Sequence, residues 1–288
     1  MKIGFIINPI SGVKKKTKIE RLIAKIFHEP EYSVSIHKTE YQGHATEIAR
    51  ELALQEFDVV VAVGGDGTLN EVSAGLLNSK AILGLIPCGS GDGLARHLNI
   101  SRNPKKALKK IYANKVHDID MVFINDTPFI NVAGIGYDAQ VAHAFAKSTR
   151  RGFFSYVKQI LKIYFSYTPI EITISYDDKI IERTVYLIEF ANSSQFGNNA
   201  VISPNSLTND ELIEICILKP FPWYYIPNIL IRLYIKTMHR SKFMEIIQTN
   251  SVVVRTNQPT PAHIDGNPFI YNTQFHIQIH PKALRMIY

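Results

Sequence analysis

Three glycine-rich turns, each directly after an apolar run of strand length, are the part of this sequence best suited to chemistry. They are Asn8-Pro9-Ile10-Ser11-Gly12, Gly64-Gly65-Asp66-Gly67-Thr68 and Pro87-Cys88-Gly89-Ser90-Gly91-Asp92-Gly93. Glycine lets the main chain approach a phosphate closely, and a helix that follows such a turn presents free N–H groups to an anion. None of the turns has the spacing of a Walker P-loop or of the dinucleotide fingerprint GxGxxG. The pattern therefore favours a phosphate site of another kind.

The elements that must position these turns alternate between strand and helix patterns. Helical patterns cover residues 18–27 and 45–55 and begin again at Leu69, with strand-like runs between them. This alternation predicts a doubly wound parallel sheet, in which ligands bind at the carboxyl ends of the strands. If only one such turn were present, a simple tight bend would explain it equally well. Three turns in the same domain are better explained by a binding site.

Beyond about residue 120 the pattern changes to short β-rich segments joined by Gly, Asn, Asp and Pro turns. The predicted fold class is α/β plus β. We expect a doubly wound parallel-sheet nucleotide domain over 1–120 and an antiparallel β-sandwich domain over 121–283, with residues 284–288 returning to the first domain. Two segments, 148–167 and 221–243, interrupt the β pattern at helical spacing and predict inserted helices.

The composition restricts the class of protein. The chain has 288 residues, 46% of them hydrophobic, which is enough for two domains and a cleft. Its net charge of +7 suits anionic ligands or membrane surfaces, but no nucleic-acid module accompanies it, so we expect no nucleic-acid partner. Cys88 and Cys216 have neither disulfide-framework nor zinc spacing and are predicted to be core residues. With no signal peptide and no apolar run of the ~18 residues that a membrane span needs, we expect a cytoplasmic protein.

The motifs NPISG, VGGDGTLNEV and IPCGSGDGLAR resemble, in order and spacing, the diacylglycerol kinase catalytic-domain family, which includes bacterial lipid kinases and sphingosine kinases. The resemblance continues through GIGYDAQVA, SPNSLTNDELIEI and HIDGNPF and so covers most of the chain. It implies an ATP-dependent lipid kinase. In such an enzyme the first domain binds ATP, the second contributes to the lipid site, and a phosphoryl group passes to a lipid hydroxyl in the cleft.

The resemblance also implies which residues bind the nucleotide. These are Asn8, Pro9, Ile10, Ser11, Gly12, Thr39, Gly64, Gly65, Asp66, Gly67, Thr68, Leu69, Asn70 and Ser90. Phosphoryl transfer depends mainly on positioning and charge neutralisation, which backbone N–H groups, hydroxyls and Mg²⁺ supply. Asp66 is a candidate Mg²⁺ ligand, and the alternative is a turn-forming aspartate that caps the following helix.

Asp265 matches the aspartate of the family's DGE motif, which makes it the candidate general base for the acceptor hydroxyl. An Asp-Gly pair is also a common hairpin turn. Asn267 stands where the motif has glutamate, and an amide does not take up a proton at neutral pH. The third turn departs as well, because it reads Gly-Ser-Gly-Asp-Gly where the family has GTxND. These departures leave open an inactive nucleotide-binding sensor, and the GGDG turn leaves open an NAD kinase.

The family further implies a structural Mg²⁺ site near the sandwich. Asp210 would supply the carboxylate, and Leu207 and Leu212 would supply backbone carbonyls. Oxygen ligands from a short loop suit this ion, although spacing alone is explained equally by an ordinary β-turn.

The segments 150–167 and 222–243 mix aromatic and basic residues, including Trp223, the only tryptophan. This mixture suits the lipid headgroup boundary, and helices packed on their own domain are the alternative. We expect a lipid substrate and peripheral contact with a membrane surface. Diacylglycerol, a sphingoid base and other hydroxylated lipids remain open as acceptors. The oligomeric state is open too, a homodimer included.

Overall fold

The computed structural model describes residues 1–12, 16–146 and 162–288. Strands and helices alternate in its first part as predicted. The strands are β1 (Lys2–Ile7), β2 (Ser33–Lys38), β3 (Val59–Gly64) and β4 (Ile82–Pro87). The helices are α1 (Lys16–Ile26), α2 (His44–Leu54), α3 (Asp66–Gly75), α4 (Gly93–His97) and α5 (Pro104–Ala113). The four strands are parallel in the order β4-β3-β1-β2, so all of them end at one edge of the sheet.

Apolar patterning explains these elements. All six residues of β3 are buried, as expected for a continuous apolar strand with helices on both faces of its sheet. Helix α2 buries Ala45, Ile48, Ala49 and Leu52, which recur at helical spacing. Helix α3 begins three residues before the predicted start, because the Leu69 N–H already bonds to the carbonyl of the glycine before Asp66.

The second part of the chain is mainly antiparallel sheet. Its strands are β5 (Val116–Ile124), β6 (Thr127–Phe129), β7 (Val132–Gly136), β8 (Ile170–Tyr176), β9 (Lys179–Val185), β10 (Leu187–Ala191), β11 (Gln195–Gly197), β12 (Ala200–Val201), β13 (Ile213–Leu218), β14 (Met244–Thr249), β15 (Ser251–Ile264) and β16 (Asn267–Ile287). Its helices are α6 (Tyr137–Ala146) and α7 (Ile226–Tyr234), with 3₁₀ turns at Trp223–Tyr225 and Met238–Arg240. Most of the predicted helix over 148–167 lies outside the described residues.

Strand β16 connects the two parts. It pairs antiparallel with β15 and β5, and its last residues pair parallel with β4, where Arg285 lies opposite Ile82. The path of hydrogen-bonded strands therefore runs from the antiparallel region into the parallel sheet. This one long strand begins at the hairpin tip that follows β15 and ends beside β4.

Separate apolar cores lie under the parallel sheet and within the antiparallel region. Cys88 is buried in the core under the parallel sheet and Cys216 in a third apolar cluster, so both are core residues as predicted. Among the described residues, no helix has both the length and the apolar character needed to cross a membrane.

Candidate active site

The three glycine turns lie together at the carboxyl edge of the parallel sheet. A Cβ atom at Gly12 would lie 1.7 Å from the Cys88 carbonyl oxygen, so the first turn packs directly on the third. A Cβ atom at Gly65 would lie 3.1 Å from the Cα of Gly89, so the second turn also packs on the third. Backbone meets backbone here, and only glycine permits contacts this close.

Side chains connect the first and second turns. Asn8 Nδ2 donates to Thr68 Oγ1 at 3.0 Å, and its Oδ1 accepts the Ile10 N–H at 3.1 Å. Thr39 lies beside them, because its N–H bonds to the Ile7 carbonyl at the end of β1. The structure thus brings the predicted nucleotide residues to one edge of the sheet.

The predicted residues differ in what they offer there. Ile10 is 87% exposed and Ser90 is also exposed, whereas the side chain of Leu69 lies in the core and leaves only its main chain for a ligand. Asn70 points towards the second part of the chain, where its Nδ2 donates to the Pro128 carbonyl at 3.4 Å.

Asp66 does not cap its own helix, contrary to the alternative explanation from the sequence. Helix α3 has no side-chain cap, and Asp66 Oδ1 instead accepts the N–H of Gly93 at 2.7 Å. Burial and then the nearby Asp92 carboxylate raise the pKa of Asp66 to about 6. This carboxylate therefore ties the second turn to the third and sits where a cation would stabilise its charge.

The third turn is held by Asp92, which has a left-handed backbone with φ of 47°. Its carboxylate accepts the Gly89 N–H at 2.8 Å and the Nε of Arg102 at 2.7 Å. At the next position a Cβ atom on Gly93 would lie 2.7 Å from Asn131 Nδ2. The glycine at position 93, where the GTxND motif has aspartate, is thus required by the packing, because no side chain fits there without displacing a neighbour.

Asp265 lies at the tip of the β15–β16 hairpin, with Ile264 paired to Asn267. Both turn residues have positive φ, 50° at Asp265 and 74° at Gly266. Asp265 Oδ1 accepts the Val132 N–H at 3.0 Å, while its Oδ2 is buried and has no hydrogen-bond partner among the described residues. Burial, and less strongly the Asp66 carboxylate, raise the pKa of Asp265 to about 7. Asp265 is therefore a carboxyl group able to take up a proton near neutral pH.

The two parts of the chain meet around these carboxylates. Asn267 lies over the second turn, where a Cβ atom on Gly67 would be 3.4 Å from its Nδ2. Beside it the third turn contacts the β11–β12 hairpin, since Gly91 accepts the N–H of Asn198 at 2.9 Å. The candidate base thus faces the glycine turns across the boundary between the parallel and antiparallel regions.

Comparison with known proteins agrees with this geometry. Residues 2–124 match the model of the diacylglycerol kinase catalytic domain, and residues 131–288 match the YegS C-terminal NAD kinase beta sandwich-like domain. A diacylglycerol kinase of Bacillus subtilis is 33% identical over 219 residues, which are 74% of this chain and 72% of the relative. The chain belongs to the family of diacylglycerol kinases and YegS-like lipid kinases. These enzymes are phosphotransferases.

Other members of the lipid kinase family cover more of the chain at lower identity. A probable YegS-like lipid kinase of Chromohalobacter salexigens is 26% identical over 264 residues, covering 89% of this chain and 84% of the relative. The crystal structure of a putative diacylglycerol kinase from Bacillus anthracis superposes with a TM-score of 0.81 at 23% identity, covering 100% of this chain and 96% of that one. This likeness supports the predicted fold, a parallel-sheet domain followed by an antiparallel sandwich.

The segment in which the sequence predicts a structural metal site lies beside a buried carboxylate, Asp120, that was not among the predicted ligands. Asp210 is partly buried, and burial together with the Asp120 carboxylate raises its pKa. Asp120 is fully buried and accepts the N–H groups of Glu211 and Lys282 at 2.9 and 2.8 Å. Two neighbouring carboxylates, one of which raises the pKa of the other, fit an Mg²⁺ ion held by oxygen ligands. The sequence does contain a signal for Asp120, namely an aspartate inside the apolar run of β5.

Four other polar residues near the site were also missed. Asp92 fixes the third turn, and Asp138, Glu189 and His263 form a buried cluster behind the hairpin tip. Their sequence signal was an ionisable residue within an otherwise apolar strand or at a strand end. One sequence does not show which of these side chains point inwards.

Proposed function

We propose that this lipid kinase transfers the γ-phosphate of ATP to a lipid hydroxyl, with Asp265 as the general base. The observation that carries the proposal is the unpaired, buried Oδ2 of Asp265 opposite three interlocked glycine turns. Such an oxygen has an open acceptor position, and a hydroxyl group that donates to it would satisfy both groups.

The residues present fit ATP and Mg²⁺. The glycine turns bring main chain to the surface at the N-terminus of α3, where the free N–H groups and the positive end of the helix favour phosphate. Asn8, Ser11 and Thr68 add polar groups at the same edge. Asp66 would hold Mg²⁺, since burial and the nearby Asp92 carboxylate raise its pKa and a bound cation would offset both effects. When bound, the ion would neutralise charge on the phosphate oxygens.

The chain's own residues then perform the proton transfer. Asp265 accepts the proton of the acceptor hydroxyl on Oδ2, while the Val132 N–H holds Oδ1 and fixes the orientation of the carboxyl group. Loss of that proton makes the lipid oxygen a better nucleophile. Asn267 stays neutral in this scheme and contributes only a hydrogen-bonding amide above Gly67.

The acceptor lies in a lipid layer, and we infer that the face around α7 meets it. Exposed apolar side chains cover this face: Trp223, Tyr224, Ile231, Tyr234 and Ile235. From Lys219 to Met244 the sequence contains no Asp or Glu but includes Lys219, Arg232, Lys236, Arg240 and Lys242. Lys219 pairs with Glu245 at 2.8 Å, whereas the other four basic residues lie in a segment without acidic ones, and an apolar face with such basic neighbours suits an anionic membrane surface.

Phosphorylation assays with labelled ATP test this function. Purified protein is given diacylglycerol, a sphingoid base or NAD as acceptor, with the Asp265→Asn variant as control. Radiolabelled lipid that disappears in the variant supports the proposal. Label transferred to NAD would contradict the proposal and identify an NAD kinase. Tight ATP binding without product on any acceptor would identify a nucleotide sensor, the alternative that the amide of Asn267 favours.

A further inference from the structure

Three ionisable side chains meet behind the hairpin that carries Asp265. They are Asp138 from α6, Glu189 from β10 and His263 from β15. His263 Nε2 contacts a carboxylate oxygen of Asp138 and lies 3.1 Å from Glu189 Oε1. Glu189 is 0% exposed and His263 is 2% exposed. Burying three ionisable groups is unfavourable unless they hydrogen-bond to each other, so their contacts indicate what they do.

Gly134 makes room for this cluster. It lies opposite His263 in the pairing of β7 with β15. A Cβ atom at Gly134 would lie 2.3 Å from Glu189 Oε1 and 2.7 Å from Asp138 Oδ2. The absence of a side chain here therefore lets both carboxylates reach the imidazole ring.

The other ring nitrogen of His263 holds the hairpin turn. The Gly266 N–H donates to Nδ1 at 3.2 Å, directly after Asp265. The pairing of β15 with β16 shifts register between Pro261 and His263, just before the tip. Such an irregularity bends the strand and re-aims its side chains. The tip also pairs with β7, and the imidazole adds a further constraint by connecting the tip to α6 and β10.

Hydrogen-bond directions assign the ring proton. Because the Gly266 N–H points at Nδ1, that nitrogen offers its lone pair, and the proton is on Nε2, facing the carboxylates. The Nε2 proton faces the carboxylates of Asp138 and Glu189, which accept it in a hydrogen bond. A metal ion on Nε2 would need the proton on Nδ1, where it would face the Gly266 N–H. The geometry therefore favours an anchor over a metal site.

We propose that His263 is a positioning residue for Asp265, anchored by Asp138 and Glu189 and holding the turn through Gly266. This inference rests on the proposed function, in which Asp265 takes the hydroxyl proton. A general base must stay within hydrogen-bond reach of its proton, and small displacements lower the rate. Because His263 acts on the tip and not on the glycine turns, its loss affects turnover and not ATP affinity.

The experiment compares His263→Phe with His263→Asn, each in the wild-type and in the Asp265→Asn background. Phenylalanine keeps the ring and loses both hydrogen bonds, whereas asparagine keeps an acceptor at the place of Nδ1. We expect H263F to lower kcat about 10- to 100-fold, part of what a general base contributes. KM for ATP should stay within about twofold, and H263N should recover part of kcat. In the D265N background H263F should lower the residual rate no further, because the base it positions is gone.

Equal losses in both backgrounds would overturn the inference, because His263 would then act independently of Asp265. One equivalent of bound metal that is lost in H263F, measured by elemental analysis, would also overturn it. Hydrogen exchange of the peptide covering 261–268 gives a readout independent of activity. Faster exchange in H263F supports the anchor, and unchanged exchange contradicts it. If the wild-type protein phosphorylates no lipid, the proposed function fails, and the exchange measurement still decides the role of His263.

Discussion

Asp265 combines two properties that a general base needs, an open oxygen and a pKa close to neutrality. Burial raises its pKa to about 7, although the Val132 N–H lowers it and thus opposes the rise. A base with this pKa is half ionised near neutral pH and is still basic enough to take a hydroxyl proton. Asn267 is exposed at the other side of the same turn, so the residue that departs from the DGE motif is not the one in the buried position.

The pH dependence of the rate follows from this pKa. We expect kcat/KM for the lipid acceptor to rise with pH through about 7, because this parameter reports the free enzyme and only the ionised carboxylate accepts a proton. Initial rates across a series of buffers measure it. The residual rate of D265N should show no such inflection, and a flat wild-type profile would remove Asp265 from the role of base.

Asp265 should also lower stability at the pH at which it is active. Its folded-state pKa lies above the ordinary 3.8, so the folded protein binds more protons and stability falls as pH rises between these values. We expect D265N to raise the thermal midpoint at about pH 8 by about 2–4 °C, the shift that ~1 kcal/mol gives in a chain of this size. The gain should shrink towards pH 5. Thermal melts by circular dichroism at both pH values measure it.

The same D265N variant should lose at least about 100-fold in phosphate transfer, in line with removal of a general base. Adding the family's glutamate in D265N/N267E should not restore it, since the side chain at 267 lies outside the buried position. Recovery of activity in the double variant, measured with labelled ATP, would transfer the role of base to position 267.

At the scale of elements, the site depends on how closely three turns approach each other. A comparison of Gly12 with Gly43 distinguishes the two reasons for a glycine in a turn, a positive φ and a close approach of another segment. Both have positive φ, 64° and 91°, but a Cβ atom at Gly12 would meet the Cys88 carbonyl, whereas no described residue comes within 4 Å of a Cβ atom at Gly43. The two positions thus share backbone strain and differ in packing.

We expect Gly12→Ala to raise KM for ATP about tenfold or more, because the first turn must move away from the third and its N–H groups no longer converge on the phosphates. Gly43→Ala should change KM much less, since its effect is limited to left-handed backbone strain of about 1–2 kcal/mol. ATP titrations with a fluorescent analogue compare the two variants. Similar losses in both would show that the close approach of the turns is unimportant for binding.

At the scale of the whole molecule, the α7 face is structurally connected to the site. Helix α7 packs against β12, which pairs with β11, and β11 packs against α4 at the third glycine turn. A lipid layer that meets α7 would therefore lie close to the elements that surround the candidate base. This arrangement suits an enzyme whose acceptor is drawn from a membrane.

Trp223 reports on this contact directly, because it is the only tryptophan and is 64% exposed. We expect its emission to shift to the blue when phosphatidylglycerol vesicles are added, and vesicle sedimentation to fall at least about fivefold in Ile231→Ser/Ile235→Ser, since buried apolar area and charge drive such binding. Ile180→Ser, at an exposed position on β9, is the matched control. Equal sedimentation of both variants, or no emission shift, would remove α7 from the membrane contact.

The parts of the fold that depend on local pattern were predictable. Strand β3 is a continuous apolar run, and α2 has its apolar residues at helical spacing, so both follow from residues that are neighbours in sequence. The division of the chain into two domains near residue 120 stays a prediction. In the structure β16 joins the two regions on either side of that boundary, because its last residues pair with β4 of the parallel sheet. This pairing joins residues about 200 positions apart, so no local sequence pattern predicts it.

The parallel α/β pattern, the glycine turns at its strand ends and the resemblance to lipid kinases could all be read from the amino-acid sequence, because they depend on residue types at short, fixed spacings. Tertiary structure decided which ionisable groups face inwards. Asp120 beside Asp210, and His263 between Asp138 and Glu189, come together from distant segments, and the water that folding removes from around Asp210 raises the pKa of its carboxyl group. A carboxylate becomes a base, an anchor or a metal ligand through the neighbours that the fold provides.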